Sequence, residues 1–353
     1  MDSTLSKALA SDDEPSGGGF GPGWDALFDG GYLFIPSPPG DGGTVAEAVA
    51  VLEQAGRHAI RGPVAENGML AGWALEESRL PIPMTPMTFA PAPNVELVDN
   101  TLTGEVRRVP WASKVERIVI LVESPAGLCV ASVDPRDAAV VPGANLARED
   151  RDTVTFDRTA AIVGSLPTDI TADDVQLRAA LTRAALMTGA AARAVEMTIQ
   201  YTGDRAQFGR SISKFQAVQA HLVKAAQHVR AAQVATRSAA LAMTSAPANC
   251  FIEVAAAKIV ASNAAGVIAA ATHQATGAMG MTKDYRLGHL TLRLWSWRDE
   301  YGSESWWSRR LGHEVIDAGA DKMWPIISGA PETSRLAVPP STERAVLEQR
   351  TGL

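Results

Sequence analysis

The chain has 353 residues, 46% hydrophobic and 20% charged, which suits two or three packed units and excludes wholesale disorder. Its 32 lysines and arginines stand against 39 acids, a net charge of -7 that argues against nucleic acid as a general partner. Cys129 and Cys250 are widely separated with no metal or redox spacing, no apolar run reaches membrane-spanning length, and the acidic N-terminus lacks a signal-peptide core, so a reduced cytoplasmic protein without a membrane span is expected.

Residues 1–23 end in a Gly/Pro-rich run and read as a flexible leader; their glycines lack the flanking strand and helix of a dinucleotide fingerprint. Residues 24–80 read as a short helical domain. Thr44-Val45-Ala46-Glu47 is a capping-box pattern opening a helix that closes at Gly56, and a further helix is predicted from Val64 to Glu77. Residues 81–165 turn to prolines and short β-type runs: Asn94–Val98, Glu105–Val109, Arg117–Val122, Leu128–Val133 and Thr153–Phe156. With no helices between them, these predict an antiparallel β domain. From 166 to 328 the pattern is helical, with a start at Thr171 and small residues along the later faces, as in a bundle. The proline-bearing tail, 329–353, is predicted to lack fixed structure.

Two helical patterns meet at a polar corner, Tyr201 to Gln219. It holds Arg205, Phe208, Gly209, Arg210 and Gln216. Arginine forks suit phosphate oxygens, an aromatic ring can lie against a ring system, and glycine admits close backbone approach. Such residues suit a nucleotide-containing cofactor, although a helix hairpin with solvated arginines would carry the same residue types.

The wording Arg-x-x-Phe-Gly-Arg-x-Ile-x-x-Phe-Gln-Ala-Val-Gln resembles the flavin-binding signature of acyl-CoA dehydrogenases. His273-Gln274-Ala275-Thr276-Gly277-Ala278-Met279-Gly280-Met281, followed by Tyr285, is similar to the same family's later Gln-x-x-Gly-x-x-Gly element. The resemblance runs over about residues 175 to 315. It implies an α+β fold of acyl-CoA dehydrogenase type: a shortened N-terminal helical domain, a middle antiparallel β domain and a C-terminal four-helix bundle. It also implies FAD as cofactor. Arg205 and Phe208 would approach the flavin of a neighbouring subunit, Gln216 its adenine end, and Gln274, Gly277 and Gly280 its pyrophosphate, with Ser303 also at the cofactor. Thr88–Pro93 stands where the family has a longer flavin-facing loop, and Trp111 where it has a tryptophan near the flavin ring.

The family's chemistry needs a carboxylate to take the α-proton of an acyl thioester. At the commoner position of that base this chain carries Tyr301, and the other falls near Ala179, with no acid between Gln176 and Glu196. A phenol with a reference pKa of about 10 is a poor match for the task at neutral pH. Glu300 and Glu304 are the nearest acids, and Arg298-Asp299-Glu300 reads equally as an ion-paired cluster. Trp295, Trp297, Trp306 and Trp307 flank the same stretch and read as core. No histidine shows metal spacing. Some bacterial members of the family, notably in steroid degradation, form tetramers of two unlike subunits of which one supplies the glutamate. The expectation is therefore an FAD-binding subunit of a heterotetramer acting on an acyl-CoA, with electron-transfer flavoprotein as acceptor. A self-sufficient dehydrogenase using Glu300 or Glu304, and a scaffold protein that has lost the flavin, are the alternatives.

Overall fold

The structure is a computed structural model that describes residues 19–37, 42–125, 127–282, 285–319 and 322–324. The leader expected over 1–23 is ordered at its end. Phe20 is buried against the rings of Trp24 and Trp111, with centroids 4.5 and 5.6 Å away. Helix α1 begins at Pro22 (Pro22–Asp29), where the missing proline N–H leaves no intrahelical bond unmade. Residues 1–18, and the tail expected from 329, lie outside the described residues.

Helix α2 (Val45–Arg57) starts at the predicted capping box: Thr44 Oγ1 accepts from Glu47 N at 3.2 Å, and Thr44 N donates to Glu47 Oε2 at 2.7 Å. The next helical stretch opens with a π-helical turn, Glu66–Gly72, and continues as α3 (Trp73–Glu77).

The β region is mixed where sequence predicts antiparallel. In one sheet the order is β1 (Met87–Pro91), β4 (Arg117–Ser124), β5 (Gly127–Val133), β8 (Ile162–Ser165), and β1 runs parallel to β4. The second sheet, β2 (Val95–Val98), β3 (Thr101–Pro110), β7 (Arg151–Ala160), β6 (Ala139–Val141), is antiparallel throughout. The parallel pair arises because the chain leaves the first sheet after β1, builds the β2–β3 hairpin in the second, and returns in the same sense. Thr88–Pro91, read from sequence as part of a cut-back loop, is thus a strand, buried up to Ala90. Alternate residues of β4 serve two cores. Ile118, Ile120 and Val122 face the main one, while Val119 and Leu121 face a smaller one with Leu70, Leu75, Val175 and Ala179. Burial on both faces explains the unbroken apolar run of this strand.

Helices α4 (Ala172–Asp204), α5 (Gln216–Ser245), α6 (Phe251–Thr276) and α7 (Leu287–Trp297) form the C-terminal bundle, with α8 (Glu304–Ala318) packed on α6. The segment Phe251–Met281 is long and apolar enough to cross a membrane, contrary to the sequence expectation, and most of its apolar window is buried inside the bundle. Helix α2 lies across α4 at backbone contact distance through two reciprocal glycines. A Cβ on Gly189 would fall 1.8 Å from the Glu53 carbonyl oxygen, and one on Gly56 2.1 Å from that of Leu186. Gly189→Ala must push these helices apart, and the expected loss is about 1–3 kcal/mol, read by chemical denaturation. An unchanged midpoint would show that the crossing is slack.

Candidate functional site

The polar corner is a miniature hairpin. Strands β9 (Ala206–Gln207) and β10 (Arg210–Ser211) pair across Phe208 and Gly209, whose φ angles are 50° and 75°. Two positive φ values in a two-residue turn follow the twist of the flanking strands, and glycine at the second position adopts one freely. Phenylalanine adopts the other only with strain, and its ring is 90% exposed. Ser211 Oγ donates to the Thr202 carbonyl at 2.8 Å, fixing the hairpin to the end of α4. Arg210 lies over the Phe215 ring at 4.3 Å, and Arg205 caps α4 with its side chain exposed.

This corner forms one wall of a groove of about 590 Å³ whose other wall is Gln274–Met279. There Gly277, with φ 59°, ends α6 and turns the chain into a 3-10 segment. Tyr201, Arg205, Phe208, Gln274 and Gly277 are therefore brought together from two distant stretches. Gln216 is exposed at the first turn of α5 and does not line the groove. Gly280 is buried: a Cβ there would meet Thr276 Oγ1 at 2.1 Å, so its smallness serves packing. Ser303 caps α8, its Oγ accepting from Trp306 N at 3.3 Å. Trp111 is buried beside Phe20 with Lys114 and Arg61 near its ring, and lines neither this groove nor the cavities described next. A neighbouring hollow of about 400 Å³ shares Tyr201 and Arg205 and adds Tyr285, whose hydroxyl donates to the Met197 carbonyl at 2.9 Å. Exposed cations, an aromatic ring, an amide and backbone near Gly277 fit the phosphates and the nucleotide rings of a dinucleotide. Beside this wall, His273 Nε2 is bonded to Thr291 Oγ1 at 2.9 Å and its buried Nδ1 has no partner among the described residues.

Near the other end of α4 lies a second site. Tyr301 and Pro91 line two adjoining cavities, one of about 190 Å³ with Ala179, Val175 and Leu121, the other of about 230 Å³ with Arg107, Arg108, Arg151, Arg183 and Glu300. Behind them runs a chain of buried ions, each less than a tenth exposed. Arg183 bonds Glu66 at very short range and donates from Nε to Glu300 Oε2 at 2.6 Å. Arg151 Nε donates to Glu300 Oε1 at 2.9 Å and Arg151 Nη2 reaches Glu149 at 3.4 Å. Glu149 in turn accepts from Arg293 Nε at 2.9 Å and from Trp297 Nε1 at 2.8 Å. Burial alone would raise the Glu300 pKa, but Arg151 and Arg183 outweigh it and hold the carboxyl down to about 2. Burial pushes the Tyr301 hydroxyl up, and the Arg183 guanidinium sits 5.0 Å from its ring. Lys258, fully buried and pulled down to about 7 by desolvation, donates to the Arg298 carbonyl at 2.7 Å at the end of α7.

The sequence left Arg298-Asp299-Glu300 as a solvated or ion-paired cluster; the partners of Glu300 lie 117 and 149 residues away. Asp299, by contrast, is exposed and 3.9 Å from Arg298. Glu304 opens α8 and accepts from Asn263 at 3.3 Å, lining neither cavity. Trp297 and Trp307 are core, whereas Trp295 is 42% exposed against Arg298. The one local signal for the network is Arg183, inside an Ala/Leu-rich stretch of α4; Arg178 in the same stretch donates instead to the Met69 carbonyl at 2.8 Å.

Residues 177–298 match the model of a family described as acyl-CoA dehydrogenase, C-terminal domain. That stretch of the chain is therefore similar to the C-terminal domain of the acyl-CoA dehydrogenases. It is 26% identical over 231 residues to the acyl-CoA dehydrogenase FadE28 of Mycobacterium tuberculosis, an alignment covering 57% of this chain and 65% of that relative. It therefore spans less than two thirds of that relative's length. Among solved structures, the ChsE4-ChsE5 complex of Mycobacterium tuberculosis matches with a TM-score of 0.75 at 24% identity, covering 84% of this chain and 88% of that one. A Tcur3481-Tcur3483 steroid acyl-CoA dehydrogenase variant matches at 0.73 and 23%, covering 90% and 93%. At those identities the structural matches establish the fold. On that fold, Ala179 and Tyr301, expected from the resemblance at or near the two positions of the acyl-CoA dehydrogenase base, line one cavity, and neither is an acid.

Removing one buried partner strands the others' charges, so Glu300→Gln is expected to cost about 3–5 kcal/mol in a denaturation experiment. Because the folded pKa lies below the ordinary carboxylate value, the Glu300 contribution is present above about pH 4.3 and fades as pH falls toward 2. The variant should accordingly show a flatter loss of stability over that acid range. A wild-type-like midpoint would mean the ions are solvated.

Proposed function

We propose that the chain is an FAD-binding acyl-CoA dehydrogenase subunit that supports α,β-dehydrogenation of an acyl thioester, with an unlike partner chain supplying the carboxylate base. The observation that carries this reading is Phe208: its backbone is strained and its ring, met edge-on by Phe215 at 6.1 Å, stays 90% exposed, which suits a residue awaiting a cofactor or a second chain. Arg205, Gln274 and the backbone around Gly277 would hold the phosphates, and Gln216, on the adjoining first turn of α5, would reach the adenine end. When bound, FAD supplies the hydride acceptor.

The length of α4 supports sharing between chains. From Ala179 to Arg205 the helix rises roughly 39 Å at 1.5 Å per residue, farther than one dinucleotide reaches. The groove and the Tyr301 cavities of a single chain therefore serve different cofactor molecules. What this chain's residues do at the reacting end is shape the pocket and exclude water; the proton must go to a base outside them. Glu300 is a poor candidate, since a carboxylate clasped by two guanidiniums near pKa 2 holds a proton weakly. The family relation and the steroid-type and two-component structural matches favour a heterotetramer acting on a steroid-derived thioester, with electron-transfer flavoprotein as acceptor.

Expressed alone and with the product of its genomic neighbour, the protein should show the flavin absorption band in the pair. Arg205→Ala with Phe208→Ala should lower flavin retention at least tenfold while leaving the circular dichroism unchanged. In the assembled pair, Tyr301→Phe should leave turnover within about twofold. A fall of ~10²–10⁴, the usual cost of a lost general base, would put the base in this chain.

A further inference from the structure

Two arginines leave strand β3 side by side. Between Val106, paired with Val154, and Val109, paired with Asp152, β3 has two residues, Arg107 and Arg108, where β7 has only Thr153. Neighbours in a regular strand point to opposite faces, but this bulge keeps Val106 and Val109 buried and turns both arginines outward. Arg108 carries a φ of 62°, a conformation that a long side chain adopts at a cost and that tends to persist near functional sites. Both arginines line the cavity of about 230 Å³ next to Tyr301.

The charges around that cavity are unequal. Arg107, Arg108, Arg151 and Arg183 face Asp299 and Glu300, four cations against two carboxylates. The inner pair is already matched by Glu300 and its neighbours. Arg107 is bonded to Glu105 at 2.6 Å on the open surface, a pairing worth little, and Arg108 has no ion-pair partner among the described residues. The cavity is too small for a whole ligand but wide enough for a charged group, and it shares Pro91 and Tyr301 with the one lined by Ala179.

On the reading that the Ala179–Tyr301 cavity receives an acyl chain, we propose that the adjoining cavity holds a carboxylate at the far end of that chain, gripped by Arg107 and Arg108. The preferred substrate is then the thioester of a dicarboxylic acid. An anionic oxygen group is what a guanidinium fork recognises, and the carrier's phosphates share that chemistry, so the test separates the two sources.

In the assembled protein, equilibrium binding of adipyl-CoA, hexanoyl-CoA and free CoA would be compared. Adipyl-CoA should bind about tenfold tighter than hexanoyl-CoA, and R107A/R108A should erase that difference while leaving hexanoyl-CoA unchanged. Equal binding of the two thioesters by the unaltered protein overturns the proposal. Equal weakening of free CoA and adipyl-CoA in R107A/R108A assigns the arginines to a carrier phosphate and also overturns it. If no thioester binds, the dehydrogenase reading falls first, and glutarate is compared with uncharged glutaramide. A glutarate preference lost in R107A/R108A upholds the carboxylate grip, and no preference removes it as well.

Discussion

The buried ion chain from Glu66 through Arg183, Glu300, Arg151 and Glu149 to Arg293 is the constraint on which the rest of the site depends. Taking any one of these charges out of water costs several kcal/mol, and only the opposite charges beside it offset the loss. The set therefore forms together or not at all. Its members come from the π-helical turn, strand β7 and its approach, helix α4, helix α7 and the loop after it. An energetic requirement for mutual neutralisation thus ties the N-terminal helices, the β sheets and the bundle into one arrangement. Tyr301 follows Glu300 directly, so the wall between the two cavities is set by the same bonds, with Lys258 holding the end of α7 just before it.

This arrangement divides the molecule's chemistry between the two ends of α4. Near its start the environment is closed, its ions are matched to one another, and its cavities are small. At its end the groove is open, Arg205 is exposed, and Phe208 stands in solvent on a strained turn. The first kind of surface is complete within the chain, while the second is energetically unfinished. Such a polarity is what a shared cofactor site requires, since each chain must offer to a neighbour what it does not use itself. The bulge in β3 adds a second unfinished feature beside the closed cavities, where Arg108 faces out with no ion-pair partner among the described residues.

Much of the fold was legible in sequence because local rules decided it. The capping box at Thr44 and the start at Thr171 marked two helix beginnings, the run Arg117–Val122 read as a strand, and the polar segment Tyr201–Gln219 between two helical patterns read as a corner. The flavin-type signature drew Arg205 and Gln274 toward one site, since both belong to short motifs whose meaning is carried by neighbours in the chain. The same resemblance led to the expectation that neither position of the family's base holds an acid.

Tertiary structure alone decided what depends on partners far apart in the chain. Glu300 could be read as solvated, paired with Arg298 or catalytic, and only the approach of Arg151 and Arg183 shows it locked as an anion. The same holds for Thr88–Pro91, a parallel strand because β4 lies beside it, and for Gly280, buried because Thr276 and Leu287 close over it. The exposed bulge at Arg107 and Arg108 follows the same logic, as strand pairing with β7 sets it. Local propensity is additive along the chain and so can be read there, whereas desolvation and charge pairing are set by distances that only folding defines.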